Sequence, residues 1–257
     1  MMRSTTRDKQ PSDKVKPWAA VFWLAVWEIA AVLVGHELLL VSPLKVAARL
    51  FELAAQAAFW RAVFFSFFRI VAGFMTACVL GTLLAAAAFR FSRARELITP
   101  LMLVIKATPV ASFIILVLIW IPSRGLSAFI SFLMVLPIIY SNVLTGIQAA
   151  DPLLLQMSGL FALSWGRKLR YIYFSQVLPY FTAGCSVALG LCWKAGVAAE
   201  IIGVPKGSIG ENLYNAKIYL DTPDLFAWTL VIILISQLFE RAFLTGVRGF
   251  TRRMERL

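Results

Sequence analysis

Long apolar stretches alternate with short polar segments along this chain of 257 residues. A bilayer-spanning helix needs about 20 consecutive residues that are mostly apolar, and by this measure the pattern predicts six spans. The fourth is the most uniform, because residues 125–150 carry no charge, and the first is the least uniform, because it contains Glu28, His36 and Glu37. We therefore predict an all-α polytopic membrane protein with about six transmembrane helices, at residues 18–41, 62–89, 97–121, 125–149, 179–202 and 225–247.

Two of the connecting segments show patterns of their own. In VSPLKVAARLFELAAQAAFW, apolar residues recur at helical spacing after Ser42-Pro43, a helix cap followed by a proline suited to the first turn. This predicts an amphipathic helix on the outer surface. Residues 203–224 contain three glycines and two prolines, which predict a structured loop. That loop lacks the GxxxxGK[ST] pattern of a phosphate loop, so no ATP site is predicted in this chain.

The segment between the fourth and fifth spans interrupts the apolar pattern. It reads QMSGLFALSWGRKLRYIYFSQVLP over residues 156–179 and mixes polar, aromatic and basic side chains. Three of them, Arg167, Lys168 and Arg170, make a bilayer crossing unfavourable. We therefore predict that this segment is folded on the cytoplasmic surface.

Local signals divide this segment into two short helices. Asp151-Pro152 is an N-cap acid followed by a first-turn proline, and it predicts a helix that runs to about Leu163. Ser164-Trp165-Gly166 is predicted to break it. A second helix, residues 167–177, is predicted to end before Leu178-Pro179, because proline disfavours the helical conformation of the preceding residue. We call residues 152–179 the elbow.

The residues alone leave two interpretations of the elbow open. Apolar side chains with Trp165 at the tip suit a docking surface, whose aromatics would fill a partner's groove while basic residues steer the encounter. The same pattern also suits an amphipathic helix that rests on the lipid surface.

Composition agrees with a membrane protein and gives the orientation. Hydrophobic residues make up 60% of the chain and charged residues 15%, and the mean hydropathy is +0.81. The net charge of +12 does not indicate nucleic acid, because the basic residues lie at the ends of apolar stretches. Of the 25 Lys and Arg residues, 16 lie in segments that are inside if the N-terminus is inside, and 6 lie outside. The positive-inside rule then predicts that both termini are cytoplasmic.

These assignments give a simple organisation. Residues 1–17 form a cytoplasmic N-terminal tail, residues 18–247 a transmembrane domain that includes the elbow, and residues 248–257 a basic cytoplasmic C-terminal tail. The apolar stretch after the first tail is longer than the core of a signal peptide. We predict that it is an uncleaved first helix.

Reactive side chains are sparse, and the chain is not predicted to be an enzyme. One histidine is present in the whole sequence, and the three cysteines lie inside apolar stretches without metal-ligand spacing. A catalytic cluster of His, Asp or Ser is therefore not expected, nor is a metal site. The cysteines are interpreted as small residues that pack between helices.

Charges within the spans invite a functional reason, because placing Arg or Lys at a span centre costs roughly 2.5–3.5 kcal/mol on insertion scales. Arg69 is near enough to a helix end to snorkel. Lys106, close to the kink-forming Pro109, suits either a cavity wall or a pair with an acid. Tyr140 and Asn142 belong to a polar patch that suits either a path or interhelical hydrogen bonds. The fifth span adds Trp193, Lys194 and Glu200, which completes the set of candidate path residues.

The elbow resembles the cytoplasmic motif of permease subunits of bacterial ABC importers, EAA-x3-G-x9-I-x-LP. Gly166, Leu178 and Pro179 match this motif in register. The EAA positions fall on Leu160, Phe161 and Ala162, and the isoleucine falls on Gln176. The acid that family members present to the ATPase is therefore missing here. The resemblance implies that the elbow residues contact an ATPase. In the place of that acid we expect Trp165 together with Arg167, Lys168 and Arg170.

The resemblance extends over nearly the whole chain, to the nitrate, sulfonate and taurine group of these permeases. SPLKVAARLFEL resembles the outer-surface segment of the group, and FFSFFRIVAGF the start of its second span. ITPLMLVIKATPVASFIILVLIW resembles the third span with its two prolines, and WKAGVAAEIIGVPKGSIG the fifth span with the loop after it.

Membership would imply a type I importer fold in the bacterial inner membrane. The expected partners are a second permease copy, a cytoplasmic ABC ATPase dimer that binds ATP and Mg, an extracytoplasmic binding protein and the lipid bilayer, with no nucleic acid. Alternating access would be driven through the elbow.

The sequence does not decide between two classes of cargo, small anions and heteroaromatic compounds. Lys106 and Lys194 suit a sulfonate, taurine, nitrate or carboxylate, whereas Trp193 and Tyr140 suit a heteroaromatic vitamin or its precursor. The alternative class is an ion-coupled secondary transporter or channel, which is expected to show inverted repeats.

Overall fold

The computed structural model describes residues 16–36, 38–161 and 163–254. This part of the chain is built from helices. In chain order they are α1 (Pro17–Val34), α2 (Pro43–Ala54), α3 (Ala57–Arg90), α4 (Ser92–Ala107), α5 (Val110–Val117), α6 (Ser123–Gln148), α7 (Pro152–Leu160), α8 (Trp165–Lys168), a π-helical turn (Leu169–Tyr173), α9 (Phe174–Gly203), α10 (Ile209–Ile218) and α11 (Thr222–Met254).

Within the described ranges, five helical segments are long and apolar enough to cross a membrane, and a bent pair of helices adds a sixth if it is taken as one span. The predicted set of about six spans is confirmed, and the fold is all-α. The single segments are Pro17–Val34, Ala57–Arg90, Ser123–Gln148, Gly166–Gly203 and Thr222–Gly249.

The third predicted span, residues 97–121, is broken close to Pro109, where a kink was expected. It consists of α4 and α5, whose axes are bent by 105°. The reason is local, because Pro109 forces Thr108 out of the helical region, to ψ 129°. The first span also ends earlier than predicted, at Val34, where Gly35 takes a left-handed conformation with φ 64° and terminates α1.

Three helices form the centre of the bundle, with α6 packed between α3 and α9. Glycines show their directions. Gly73 faces Ala128 and Gly81 faces Ile139, so α3 and α6 run parallel. Gly184 faces Asn142 on α6. Gly146 on α6 faces Tyr180 on α9, and Gly196 on α9 faces Ser131 on α6. The helix α9 therefore runs antiparallel to α6.

An aromatic seam attaches α11 to α3. The ring pairs Phe59–Trp228, Phe67–Phe239 and Phe74–Phe243 have centroids 5.0, 5.6 and 5.1 Å apart. Positions on both helices rise together along the seam, so α11 runs parallel to α3. Aromatic pairs of this kind stabilise packing beyond the area that they bury.

The amphipathic helix predicted after Ser42-Pro43 is α2. The Ser42 hydroxyl accepts a hydrogen bond from the backbone N–H of Leu44 at 3.3 Å and donates one to Glu28 on α1 at 2.6 Å. Arg49 on α2 pairs with Asp224 on α11, and this hydrogen bond raises the pKa of the guanidinium. The segment predicted as a loop at residues 203–224 contains α10 as well.

The bundle has two distinct ends. We call one the basic end, because α3 finishes there at Arg90 and the elbow lies there with Arg167 and Lys168. The opposite end carries α2 and α10.

Candidate functional site

The elbow begins with a well-formed helix start. The Asp151 carboxylate accepts a hydrogen bond from the backbone N–H of Leu153 at 2.8 Å, as the Asp-Pro pair predicts. The backbone N–H of Asp151 donates to Oε1 of Gln176 at 2.7 Å, a contact that joins the start of α7 to α9. Gln176 stands where the family motif has isoleucine, so this substitution supplies a polar contact that sequence reasoning did not foresee.

The end of α7 presents two large apolar side chains to the surroundings. Leu160 is 85% exposed and Phe161 is 71% exposed. They occupy two of the positions that the motif resemblance assigns to ATPase contact. Ala162, the third, lies outside the described residues, and the side chains of Trp165 and Arg170 are not described either. Arg167 is exposed and Lys168 is half-buried.

The elbow is not two separate short helices, as the sequence predicted. The break lies between Phe161 and Trp165, and Gly166 belongs to the first turn of the next helix instead of to the break. That helix does not end before Leu178-Pro179. It continues through the π-helical turn into α9, with Pro179 inside. A helix can tolerate an internal proline when irregular turns and neighbouring helices compensate for the lost hydrogen bond.

The bend between α4 and α5 places a lysine beside a helix start. Lys106 is exposed at the end of α4, and its Nζ donates a hydrogen bond to Oγ of Ser141 on α6 at 2.9 Å. The backbone N–H of Phe113 donates to the Pro109 carbonyl and closes the first turn of α5. The backbone N–H groups of residues 110–112 come before this hydrogen bond and have no acceptor within the helix. The bend therefore brings a cation and the positive end of a short helix together.

One face of α9 is exposed, although the residues on either side of Lys194 are buried. Lys194 is exposed between the buried residues Trp193 and Ala195. One helical turn earlier the same face carries Gly190, and before it come Ser186 and Ala183, all three exposed. The exposed Val187 also lies on this face; its other residues before Lys194 have small side chains.

Lys106 and Lys194 lie at different depths. Gly184 faces Asn142, and Gly196 faces Ser131, which sets the register of α9 against α6. In that register Ser141, the partner of Lys106, lies about level with Ser186. Lys194 is eight residues further along, about 12 Å closer to the opposite end at 1.5 Å per residue.

The aromatic candidates for the path are buried. Trp193 is 2% exposed and packs against Phe67, with ring centroids 6.0 Å apart, and Tyr140 is 4% exposed. Asn142 donates a hydrogen bond to the Ile138 carbonyl at 2.9 Å within its own helix. Their placement in a path stays a prediction, and their burial gives it no support.

Glu200 is the centre of a buried polar cluster that sequence reasoning did not assemble. Its side chain is 0% exposed. Ser66 Oγ donates to Glu200 Oε2 at 2.6 Å and accepts the backbone N–H of Ile209 at 3.0 Å. The backbone N–H of Gly210 donates to the same carboxylate oxygen at 3.3 Å. Glu200 thus connects α3 and α9 to the first turn of α10.

A second contribution to this cluster comes from charge. Arg69 stacks over Phe65 with its guanidinium carbon 4.1 Å from the ring centroid, and it interacts electrostatically with Glu200. Glu200 is directed into the bundle, whereas Lys194 is on the exposed face of the same helix. The two residues therefore serve different surfaces, as their six-residue spacing predicts.

Sequence comparisons agree with this architecture. A family model described as "Binding-protein-dependent transport system inner membrane component" matches residues 77–256. SsuC of Bacillus subtilis, described as an aliphatic sulfonates transport permease, is 22% identical over 91% of this chain and 82% of its own length. The taurine transport system permease protein TauC of Escherichia coli is 24% identical over 91% of this chain and 86% of its own length.

A solved structure shares the fold. One chain of the crystal structure of an amino acid ABC transporter with histidines superposes with a TM-score of 0.50. The alignment covers 75% of this chain and 90% of that chain, at 17% identity. The likeness concerns the arrangement of helices.

Proposed function

The chain belongs to the family of binding-protein-dependent transport system inner membrane components, and from this premise we propose that it couples a cytoplasmic ATPase to the uptake of a small organic anion. It is a permease subunit of an ABC importer, a transport component. ATP and Mg are bound by the partner ATPase. The basic end of the bundle faces the cytoplasm of a bacterial cell, and both termini lie on that side.

The observation that carries the coupling function is the exposed apolar tip of the elbow. Leu160 and Phe161 lie at the end of a short helix between two spans, outside the apolar length of either. Exposed apolar side chains of this size are typical of protein–protein contacts. Arg167, six residues after Phe161, is exposed as well, and this supports docking on an acidic rim of the ATPase in place of the family's glutamate.

Alternating access requires a second copy of this chain. The exposed face of α9, with its small side chains and Lys194, has no covering element among the described residues. Two such faces brought together by a twofold axis would enclose a path between the copies. ATPase closure would push on the elbow, and because the part of the elbow after its break continues from Gly166 into α9, a displacement of that part would be passed to the exposed face.

The cargo class follows from the charges on the exposed faces. Lys106 and Lys194 are cations at two depths, and a twofold axis doubles both. A path lined by cationic side chains favours anions. Sulfonates and taurine, the cargo named for the relatives SsuC and TauC, carry an anionic sulfonate group. An extracytoplasmic binding protein would deliver the cargo at the opposite end of the bundle.

We expect Lys194→Ala to lower the uptake of an alkanesulfonate by about tenfold, because one charged hydrogen bond to the anion contributes roughly 1.5–3 kcal/mol. Uptake is measured in vesicles that contain the permease with its ATPase and binding protein. Lys194→Arg keeps the charge and is expected to retain most of the uptake. Lys217→Ala, a change of an exposed lysine on α10, is the matched control. Wild-type uptake by Lys194→Ala would exclude this lysine from the path.

A further inference from the structure

A large apolar cleft lies at the basic end, behind the elbow. Its volume is about 910 Å³, at the upper end of the range for small-molecule sites. Four parts of the fold line it: α3, α6, α11 and the elbow with the start of α9. Thr82 and Ala86 of α3, Val177 and Phe181 of α9, and Phe243 and Gly246 of α11 are representative.

The depth of the cleft places it within one leaflet. Ala86 is four residues and Thr82 eight residues before Arg90, where α3 ends. At 1.5 Å per residue the cleft reaches about 12 Å from the helix end. Half of a hydrocarbon core of about 30 Å is about 15 Å. In the proposed orientation, the cleft therefore lies in the cytoplasmic leaflet.

The lining favours an apolar occupant, because nearly all of its side chains are apolar and offer no hydrogen-bond partner. Residues 1–15, MMRSTTRDKQPSDKV, are polar and basic, so they do not suit an apolar cleft. A soluble ATPase would have to reach within the hydrocarbon layer. An acyl chain of a lipid satisfies both the polarity and the depth.

Charge at the mouth of the cleft specifies the headgroup. Thr82, Ala86 and Arg90 are spaced by four residues and share one side of α3, so Arg90 continues the lining stripe toward the surface. Arg90 is exposed. Among the described acids at this end of the bundle, Asp151 already caps α7, and Glu96 belongs to α4, which does not line the cleft.

We propose that this cleft binds an anionic phospholipid of the cytoplasmic leaflet, with an acyl chain against Phe181 and Phe243 and the phosphate beside Arg90. The lipid is wedged between the elbow and the helices α3 and α11. Anionic headgroups are attracted to basic residues at this surface. This proposal and the proposed transport function have only the orientation of the chain in the membrane in common. Lipid binding is therefore tested on the full chain alone, without ATPase, binding protein or cargo.

Two glycines of α11 provide a matched pair for the test. A Cβ added at Gly246 or at Gly249 meets no atom within 4 Å, so both positions accept a side chain without a clash in the protein. Only Gly246 lines the cleft. Gly246→Leu projects a side chain into the cleft, and Gly249→Leu adds the same side chain three residues away.

The measurement is native mass spectrometry of the delipidated full chain, titrated with phosphatidylglycerol or phosphatidylcholine. We expect the wild type and Gly249→Leu to bind one phosphatidylglycerol about tenfold more tightly than phosphatidylcholine. Gly246→Leu should lose this binding, and Arg90→Gln should lose the preference for phosphatidylglycerol while Arg93→Gln keeps it. Unchanged binding by Gly246→Leu, or equal binding of the two lipids by the wild type, would overturn the proposal. So would a fluorophore on Gly246→Cys that responds to added ATPase and not to phosphatidylglycerol.

Discussion

At the scale of single residues, two charged side chains of one helix lie in opposite environments. Lys194 and Glu200 both belong to α9, but Lys194 is exposed and Glu200 is completely buried. A buried carboxylate persists only when hydrogen bonds replace its hydration. Ser66 and the amide of Gly210 supply such hydrogen bonds to Oε2, whereas Oε1 has no hydrogen-bond partner in the described part of the chain, and the positive end of α10 adds to the stabilisation. Glu200 therefore connects the helices at the opposite end, whereas Lys194 is directed away from the bundle.

Removing the Ser66 hydroxyl should weaken this cluster. Ser66→Ala deprives Glu200 of a donor and leaves the amide of Ile209 without its acceptor. Since an unsatisfied buried group costs about 1–3 kcal/mol, we expect a lower midpoint of thermal unfolding in detergent. Ser186→Ala, on the exposed face of the neighbouring helix, is the control and should unfold like the wild type. Equal midpoints for both variants would contradict the role given to Ser66.

At the scale of elements, the sequence predicted helix starts better than helix ends. Ser42-Pro43 and Asp151-Pro152 are local signals, and both form the caps that they predict. Proline was a less certain guide to where helices stop. Pro109 separates α4 from α5, but Pro100, Pro137 and Pro179 all lie inside helices. Whether a proline ends a helix depends on the tertiary packing around it, and this packing cannot be read from the residues next to it in the sequence.

Close packing of α9 against α3 and α6 depends on a glycine. A Cβ at Gly196 would lie 2.6 Å from Oγ of Ser131 and 2.7 Å from Ile70. Overpacking of this kind costs about 1–3 kcal/mol, so Gly196→Ala should lower the thermal midpoint. Gly190→Ala on the same helix is the control, because its Cβ meets nothing within 4 Å. If Gly196→Ala unfolds no earlier than Gly190→Ala, the described packing is wrong.

At the scale of the whole molecule, composition and charge bias suffice for the fold class, because membrane insertion is decided by hydropathy summed over long windows. The candidate site is less accessible to sequence reasoning. Lys106 and Lys194 stand out as charges within spans, but their depths depend on the register between α6 and α9. The Glu200 cluster joins Ser66 to residues more than 130 positions away, and a contact of that range leaves no local pattern.

The central claim is that the elbow, at the basic end, transmits the action of an ATPase. It is tested most directly by co-purification of the cognate ABC ATPase with two matched variants. Phe161→Asp changes the exposed tip of the elbow, and Phe51→Asp changes an equally exposed phenylalanine on α2 at the opposite end. We predict that Phe51→Asp retains the ATPase at wild-type stoichiometry and that Phe161→Asp loses it while still inserting into the membrane. Full retention of the ATPase by Phe161→Asp would contradict the account.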